Sequence, residues 1–161
     1  MKVKLDPSQN SGNNPLSNFL INNSLKSMPD SCICCSNKLF DKCCGRFLSG
    51  EQSAKTPEQL MRSRYSAYAL GNYGEYLLST WFSATSAGLT AESLSEKSVE
   101  WVKLEVLSKS QIGDKGSVEF NAYYREGESN NIQAMHEASV FQRSAGQWFY
   151  VGGEVSNNNI K

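Results

Sequence analysis

The sequence predicts an α+β fold in which an antiparallel sheet packs on helices, with a small cysteine-rich segment on the N-terminal side. Helical patterns occupy residues 56–98, and four stretches of alternating apolar and polar residues, separated by short turns, occupy residues 101–151. Strands joined by short turns pair antiparallel, and helices followed by strands are typical of α+β domains. All five cysteines fall between Cys32 and Cys44, which sets that segment apart.

Size and charge limit the possible functions. The 161 residues suffice for one modest domain with small appendages. Acidic and basic residues number 16 each, so the basic excess that is typical of nucleic-acid-binding proteins is missing and nucleic acid is not a favoured partner. No apolar run approaches the roughly 18 residues of a membrane span, and the first 30 residues show no signal-peptide pattern, so we expect a cytoplasmic protein without a membrane span.

Residues 1–30 form an arm that is rich in asparagine and serine, a composition typical of loosely attached segments. Asn14 and Pro15 have the pattern of a helix N-cap followed by proline at the first helical position. Leu16, Phe19 and Leu20 follow at helical spacing. We therefore predict a short helix over residues 15–27 that docks on the main domain.

Residues 31–50 carry the cysteines and are called the knuckle. Cys32, Cys34, Cys43 and Cys44 can bring four thiolates onto one tetrahedral Zn²⁺, and four protein ligands leave no open position, so this zinc would be structural. A disulfide framework is the first alternative, although an odd number of cysteines leaves one thiol over and nothing indicates an oxidising compartment. A reactive thiol is the second, although the single histidine, His136, lies far along the chain.

Cys35 is the fifth cysteine, and we interpret it as a spare thiol in the loop that can alternatively replace Cys34 as a ligand. Three basic side chains surround the predicted ligands: Lys38, Lys42 and Arg46. They would offset the negative charge of four thiolates on one Zn²⁺ or are simply solvated. The functional alternative to ordinary solvated side chains is a small basic surface that the knuckle offers to an acidic partner.

The main domain begins with helices after a polar linker at residues 51–55. Thr56 to Gln59 has the pattern of a capping box, with Pro57 at the first helical position, and Gly71 marks the end of this helix. Its apolar stripe contains Leu60, Met61, Arg64, Tyr65, Tyr68 and Ala69. Shorter helices are predicted over residues 72–79 and 90–98.

The second half of the domain is predicted to be four strands. In the first strand, Val102, Leu104 and Val106 alternate with polar or aromatic neighbours, which predicts that these three share a face. Further strands are predicted over residues 118–125, 132–141 and 147–151. A meander of four antiparallel strands packed on helices follows from this order.

Two motifs resemble known families. Cys-x-Cys, eight residues and Cys-Cys resembles the SEC-C motif, the zinc-binding segment at the C-terminus of the bacterial SecA translocation ATPase, although SEC-C motifs usually have glycine at Cys35. The continuation over residues 45–50 and the run from Thr56 to Tyr68 resemble the YchJ family of bacterial proteins. The resemblance covers about Ser31 to Val155.

This resemblance implies a nuclear transport factor 2-like, or cystatin-like, cone over residues 56–155, followed by a tail at residues 156–161. A curved sheet wrapped around a helix leaves an open mouth, which is a natural pocket. We predict that seven residues line it: Arg64, Tyr65, Tyr68, Trp81, Trp101, His136 and Glu137.

The charged candidates have structural alternatives. His136 and Glu137 are neighbours on a strand, so they point to opposite faces and do not act together on one substrate. His136 can be a hydrogen-bonded structural residue, and Glu137 can be a general base or the ion-pair partner of Arg62 or Arg64. These arginines diverge by about 200° on a helix. The apolar stripe selects Arg64 for burial, with Glu137 or an anionic ligand as its partner.

Three functions follow as hypotheses. The first is a non-enzymatic, zinc-stabilised protein-binding module, because the SEC-C segment of SecA contacts the export chaperone SecB and the ribosome. The second is a small-molecule binder or small enzyme that uses the cone pocket. The third is RNA or ribosome binding through the basic residues of the knuckle. No set of residues predicts a particular reaction, partner or oligomeric state.

Overall fold

The structure is a computed structural model and describes residues 31–158. The helix predicted over residues 15–27 lies outside the described residues, as do the last residues of the predicted tail. Within the described residues, none of the helices has the length and apolar character needed to cross a membrane.

The knuckle is a compact loop followed by one turn of helix. A hydrogen bond from Cys32 N to Lys38 O, at 2.6 Å, closes the first loop. A 3-10 turn at Phe40–Lys42 and a short helix, α1 (Gly45–Leu48), follow. Phe40 and Phe47 are buried, so this small segment has an apolar interior beside its cysteines.

The long helix α2 (Pro57–Leu70) starts and ends where the sequence predicts. Thr56 Oγ1 accepts a hydrogen bond from Gln59 N at 3.2 Å. The Gln59 side chain accepts from Lys55 N at 2.8 Å, so the reciprocal bond of the capping motif reaches one residue further back than a capping box requires. Gly71 ends the helix with a φ of 75°, a conformation that glycine adopts readily.

Two short helices cover the start of the domain. They are α3 (Gly74–Ser79) and α4 (Ala91–Ser95), both shorter than predicted, with a 3-10 turn at Ser83–Thr85 between them. Thr90 caps α4 through a reciprocal pair of hydrogen bonds with Ser93. The helices pack very closely, since a Cβ at Gly74 would lie 1.7 Å from a backbone oxygen of α4.

The four strands form one antiparallel sheet in chain order, as predicted. They are β1 (Glu100–Ile112), β2 (Lys115–Arg125), β3 (Gln133–Ser144) and β4 (Gln147–Asn158). Strands β1 and β4 are more than twice as long as predicted. Both continue through polar residues that pair with the neighbouring strand but do not alternate with apolar residues, so the sequence pattern does not reveal them.

Register shifts bend the sheet. They lie between Trp101 and Lys103 and between Val106 and Ser108 in β1, and between Tyr150 and Gly152 in β4, opposite Val140 and Phe141. Such irregularities increase local twist and bend a strand. Because of the first shift, the prediction that Val102 and Leu104 share a face is wrong. Buried Leu104 and cavity-lining Trp101 lie on the inner side of the sheet, whereas Val102 is exposed.

A single core joins the knuckle to the main domain. Helix α2 lies between them, and the buried apolar cluster runs from the cysteines through Phe47 and Leu60 to Phe120 and Trp148 of the sheet. The predicted linker is also packed, because Trp148 Nε1 donates to Lys55 O at 3.2 Å. The knuckle is therefore built onto the domain rather than tethered to it.

Candidate metal centre and ligand cavity

The four predicted metal ligands come together in the knuckle. Their Sγ atoms all lie within 4.8 Å of one another, and all four side chains are buried. Cys32 and Cys34 come from the first loop, whereas Cys43 and Cys44 follow the 3-10 turn. Cys35 is exposed and takes no part in the cluster. The structure therefore places these four sulfurs, rather than Cys35, around one point.

The spacing of the sulfurs fits a bound ion better than a covalent bond. Cys34 Sγ and Cys43 Sγ are 3.6 Å apart, whereas a disulfide joins its sulfurs at about 2.05 Å. Two sulfurs on one tetrahedral zinc ion, with bonds of about 2.3 Å, lie about 3.8 Å apart. All five cysteines are free of disulfides. The cluster can therefore hold a metal ion.

Proton sharing within the cluster depends on the close approach of its sulfurs. Interaction with the Cys34 sulfur raises the pKa of Cys32 to about 11, and interaction with Cys32 holds the pKa of Cys34 far below its usual value. Hydrogen bonds to Cys32 and Cys34 raise the pKa of Cys44. Because metal binding requires thiolates, an ion that enters this cluster releases protons.

Arg62 is a contact that the sequence does not reveal. Its Nη1 donates to the carbonyl oxygen of Cys34 at 2.8 Å, and its Nε pairs with Glu58 at 3.0 Å. The first of these bonds links helix α2 to the loop that carries the first two ligands. No local pattern predicts a hydrogen bond between residues that are 28 positions apart.

The predicted basic residues of the knuckle have different environments. Arg46 is used internally, since its Nε donates to Cys43 O at 3.2 Å and its guanidinium lies 4.6 Å from the centre of the Phe47 ring. Lys38 and Lys42 are exposed. Ser36 Oγ lies 3.1 Å from Cys43 Sγ and adds a neutral partner to the cluster.

A cavity of about 290 Å³ lies between helix α2 and the inner face of the sheet. Most of its wall is aromatic or aliphatic. Six predicted pocket residues line it: Arg64, Tyr65, Tyr68, Trp81, Trp101 and Glu137. The other lining residues are not predicted from the sequence: Met61, Phe120, Ala122, Met135, Ser139, Phe141 and Tyr150. Most of these residues lie on strands. The alternation of apolar and polar residues along a strand does not show which face of the sheet points into the cavity.

His136 does not line the cavity, and its prediction as a pocket residue is wrong. Its Nε2 lies 2.8 Å from Glu119 Oε1, a carboxylate on the neighbouring strand. The hydrogen bond with His136 lowers the pKa of Glu119. Because neighbouring side chains on a strand point to opposite faces, burial of Glu137 on the inner face puts His136 on the outer one.

Arg64 is buried in the cavity wall, as its position in the apolar stripe predicts. Its Nη1 donates to Leu77 O and to Thr80 Oγ1, each at 2.7 Å. The guanidinium lies 4.8 Å from the centre of the Trp81 ring and 4.6 Å from that of Tyr150. Burial lowers the pKa of Arg64, but an arginine side chain stays protonated in proteins.

Glu137 is the buried carboxylate of the cavity. Its Oε1 accepts hydrogen bonds from Ser139 Oγ and Tyr150 Oη, each at 2.7 Å. The predicted ion pair with Arg62 or Arg64 is wrong, since neither forms a salt bridge with Glu137 in residues 31–158. Two hydroxyl groups replace the predicted cation as partners.

Two further features shape the site around Glu137. Gly153 leaves space for the carboxylate, since a Cβ there would lie 2.5 Å from Glu137 Oε1. Burial raises the pKa of Tyr150, and the negative charge of Glu137 raises it further. Tyr150 is therefore a neutral hydrogen-bond donor to Glu137 at ordinary pH.

The rest of the wall is a row of aromatic rings. Tyr65 packs edge-on against Trp101 with ring centres 6.0 Å apart, and Trp101 lies 5.5 Å from Tyr124. The Tyr65 hydroxyl is buried and has no hydrogen-bond partner in residues 31–158. Burial raises the pKa of Tyr65 and of Tyr68. These rings give the cavity flat apolar surfaces.

Comparisons with known proteins agree with this arrangement. Residues 56–153 match the family model described as the middle NTF2-like domain of YchJ. A UPF0225 protein of Serratia proteamaculans is 37% identical over 130 residues, which are 78% of this chain and 84% of the relative.

Two solved structures share the fold. A solution structure of a SEC-C motif containing protein from Rhodopseudomonas palustris has a TM-score of 0.71 and 36% identity, and the match covers 77% of this chain and 97% of that one. A crystal structure of a SEC-C motif containing protein from Psychrobacter arcticus has a TM-score of 0.63 and 29% identity, covering 80% and 79% of the two chains.

A curved antiparallel sheet on a long helix, joined to a cluster of four cysteines, defines a SEC-C motif protein with a nuclear transport factor 2-like domain. The chain belongs to the YchJ family, which includes the UPF0225 proteins.

Proposed function

We propose that this protein is a zinc-braced domain that binds a small molecule in its cone-shaped cavity. The observation that carries the proposal is the cavity itself, in which a buried guanidinium and a buried carboxylate lie in a mostly apolar wall. Its volume of about 290 Å³ is near the lower end of the roughly 300–1,000 Å³ of ligand sites. A mostly apolar pocket with a few polar groups is the usual form of such sites.

The proposed ion in the knuckle is zinc with a structural role. Four cysteine sulfurs form a soft ligand set, and a tetrahedral arrangement of such ligands is typical of Zn²⁺ or of iron–sulfur centres. A single ion with four protein ligands has no vacant position for a reactant. Because the ligands are buried in the core that the knuckle shares with the main domain, the ion would stabilise the whole fold.

Elemental analysis of protein purified without chelators tests the metal. We expect one zinc per chain, lost when Cys43 is replaced by serine, and retained when the exposed Cys35 is replaced by serine. Protein that is fully folded without any metal, or a Cys35→Ser variant that loses its zinc, would contradict the assignment.

Protein-observed NMR with a library of small aromatic fragments tests the cavity. The chain has three tryptophans, of which Trp81 and Trp101 line the cavity. Trp148 donates its indole N–H to Lys55 O and serves as an internal control. We expect fragments that move the indole signals of Trp81 and Trp101 and leave that of Trp148 in place.

Filling the cavity should abolish this binding. Ala122 is buried in the cavity wall, so Ala122→Met places a longer side chain in the open space. Ala138 is exposed on the outer face of the sheet, and Ala138→Met is the matched control. Equal fragment binding by both variants, or no fragment that acts on Trp81 and Trp101, would contradict the proposal.

Protein binding by the knuckle is a second candidate function, favoured by one observation. Leu39 is 59% exposed, next to the exposed Lys38, on the outer side of the knuckle. An apolar side chain flanked by a cation is suited to a partner with an apolar, acidic surface. If the knuckle binds a protein, chemical crosslinking should join the wild type to that partner. Leu39→Ser should lose the crosslinked product. Ile112→Ser should retain it, because Ile112, which is 80% exposed, lies in another part of the chain.

A further inference from the structure

The charges that line the cavity balance. Among the described residues that line it, Arg64 is the one basic side chain and Glu137 is the one carboxylic side chain. Both are at least nine-tenths buried. A charged molecule that enters such a site loses its hydration without meeting a net opposite charge, which is unfavourable. The cavity is therefore better matched to an uncharged molecule.

Arg64 has hydrogen-bond donors left for a ligand. Its Nη1 is occupied by Leu77 and Thr80, whereas Nε and Nη2 have no hydrogen-bond partner within the described part of the chain. The open space beside Arg64 is the cavity, so both can donate to an acceptor on a bound molecule.

Glu137 has an acceptor left for the same molecule. Both protein hydroxyls, from Ser139 and Tyr150, bond to Oε1. Within residues 31–158, Oε2 has no hydrogen-bond partner. Arg64 and Glu137 line one cavity without forming an ion pair, which leaves room for a ligand group that contacts both.

The walls add a preference for flat rings. Trp81, Trp101 and Tyr68 line the cavity from the helical side and from β1, and Phe141 lines it from β3. Aromatic side chains favour offset-stacked or edge-to-face contacts with other rings. A volume of about 290 Å³ has room for one or two fused rings with a small polar group.

We infer that the cavity selects an uncharged aromatic molecule that carries an adjacent hydrogen-bond acceptor and donor, as in a primary carboxamide or a lactam. The acceptor faces the free N–H groups of Arg64, and the donor faces Glu137 Oε2. This inference rests on the proposed function, and it names the chemical class of the ligand.

Three probes of nearly equal shape test the inference on the zinc-loaded, full-length chain: 2-naphthamide, 2-naphthoate and 2-naphthylmethylammonium. Titrations are followed through the indole signals of Trp81 and Trp101. We expect the amide to bind at least about ten-fold more tightly than either ion, because hydrogen bonds to charged groups are strong and the ions lack charge compensation.

Glu137→Gln should shift the preference of the cavity from uncharged toward anionic ligands, while the substituted side chain keeps its shape. The variant keeps an oxygen for Ser139 and Tyr150 but leaves the charge of Arg64 unbalanced. We expect 2-naphthoate to gain at least about ten-fold in affinity relative to 2-naphthamide. An unchanged affinity ratio in a correctly folded variant overturns the inference.

The results separate the inference from the proposed function. Tighter binding of either ion than of the amide by the wild type overturns the ligand class and leaves the cavity as a binding site. If library fragments shift Trp81 and Trp101 but none of the three probes does, the same conclusion holds. If nothing shifts these signals, the proposed function fails as well.

Discussion

Arg62 Nη1 donates to the carbonyl oxygen of Cys34 across 2.8 Å, which joins the long helix α2 to the metal centre. The neighbouring side chains Met61 and Arg64, on the same helix, line the cavity. One helix therefore contacts the proposed zinc site and the proposed ligand site. The stability of the knuckle and the shape of the cavity are expected to depend on each other.

Arg62→Met should weaken metal binding. The substitution keeps most of the side-chain length and removes the hydrogen bond to Cys34. Loss of a hydrogen bond next to a metal ligand typically reduces metal affinity about ten- to a hundred-fold. Competition with a coloured zinc chelator measures the change. Arg143→Met is the control, since Arg143 pairs with Asp114 on an exposed turn, and equal zinc affinities of the two variants would refute this role of Arg62.

Removal of the metal should destabilise the whole chain. Without an ion, four buried cysteines remain packed together in the core that both parts share. Structural zinc contributes a large part of the folding free energy of small metal-bound segments. We expect chelation to lower Tm by at least about 10 °C and added zinc to restore it, as measured by calorimetry. An unchanged Tm in protein verified to be metal-free would argue against a structural ion.

Gly153→Ala should impair ligand binding through Glu137. The added Cβ would lie 2.5 Å from Glu137 Oε1 and push the carboxylate out of its place. We expect at least about ten-fold weaker binding of 2-naphthamide, since the bond to Oε2 is misaligned. Gly152→Ala is a matched control, because a Cβ there meets nothing within 4 Å. Normal binding by Gly153→Ala would show that the position of Glu137 is unimportant.

Two tyrosine-to-phenylalanine changes should have opposite effects on stability. Tyr65→Phe removes a buried hydroxyl without a partner, so the free energy of unfolding should stay the same or rise by up to about 1 kcal/mol. Tyr76→Phe removes a hydrogen bond of 2.6 Å to Ser63 and should lower it by about 1 kcal/mol. Urea unfolding measures both, and a clear loss of stability in Tyr65→Phe would mean that its hydroxyl has a partner.

The salt bridges of Glu58 should contribute to stability above acidic pH. Burial acts to raise its pKa, but the hydrogen bonds from Lys109 and Arg62 outweigh burial and lower the pKa of Glu58. A carboxyl group with a lowered pKa stabilises the fold above its unfolded pKa of about 4.3. This contribution is lost as the pH falls through the lower, folded value.

Comparison of the wild type with Glu58→Gln measures this effect. The wild type should be more stable by about 1 kcal/mol at pH 7, and the difference should shrink as the pH falls below about 4. Metal content is measured at each pH, because Glu58 also pairs with Arg62 and the comparison requires both proteins in the same metal state. A difference that grows on acidification would contradict the assignment.

The sequence predicts the parts of the fold that depend on local chemistry. The spacing of Cys32, Cys34, Cys43 and Cys44 predicts the cluster because ligands from two short segments can meet at one ion. Thr56 and Pro57 define the start of the long helix through capping. These features need only neighbours along the chain, which is why they are recognisable without coordinates.

Features that depend on long-range pairing are less predictable. The bulge after Trp101 turns the Val102 side chain to the outer side of the sheet, and no local pattern predicts this. The alternation in β3 separates His136 from Glu137 correctly, but it does not show which of the two faces the cavity. The more apolar set, with His136, lies on the outer face, because Glu137 is hydrogen-bonded to Ser139 and Tyr150 on the inner one.

A crystal structure of the zinc-loaded protein with 2-naphthamide tests the central claim most directly. The account predicts the ring between Trp81 and Trp101, with the amide between Arg64 and Glu137. Density for the probe outside this space, or a cavity filled by the protein's own side chains, would contradict it.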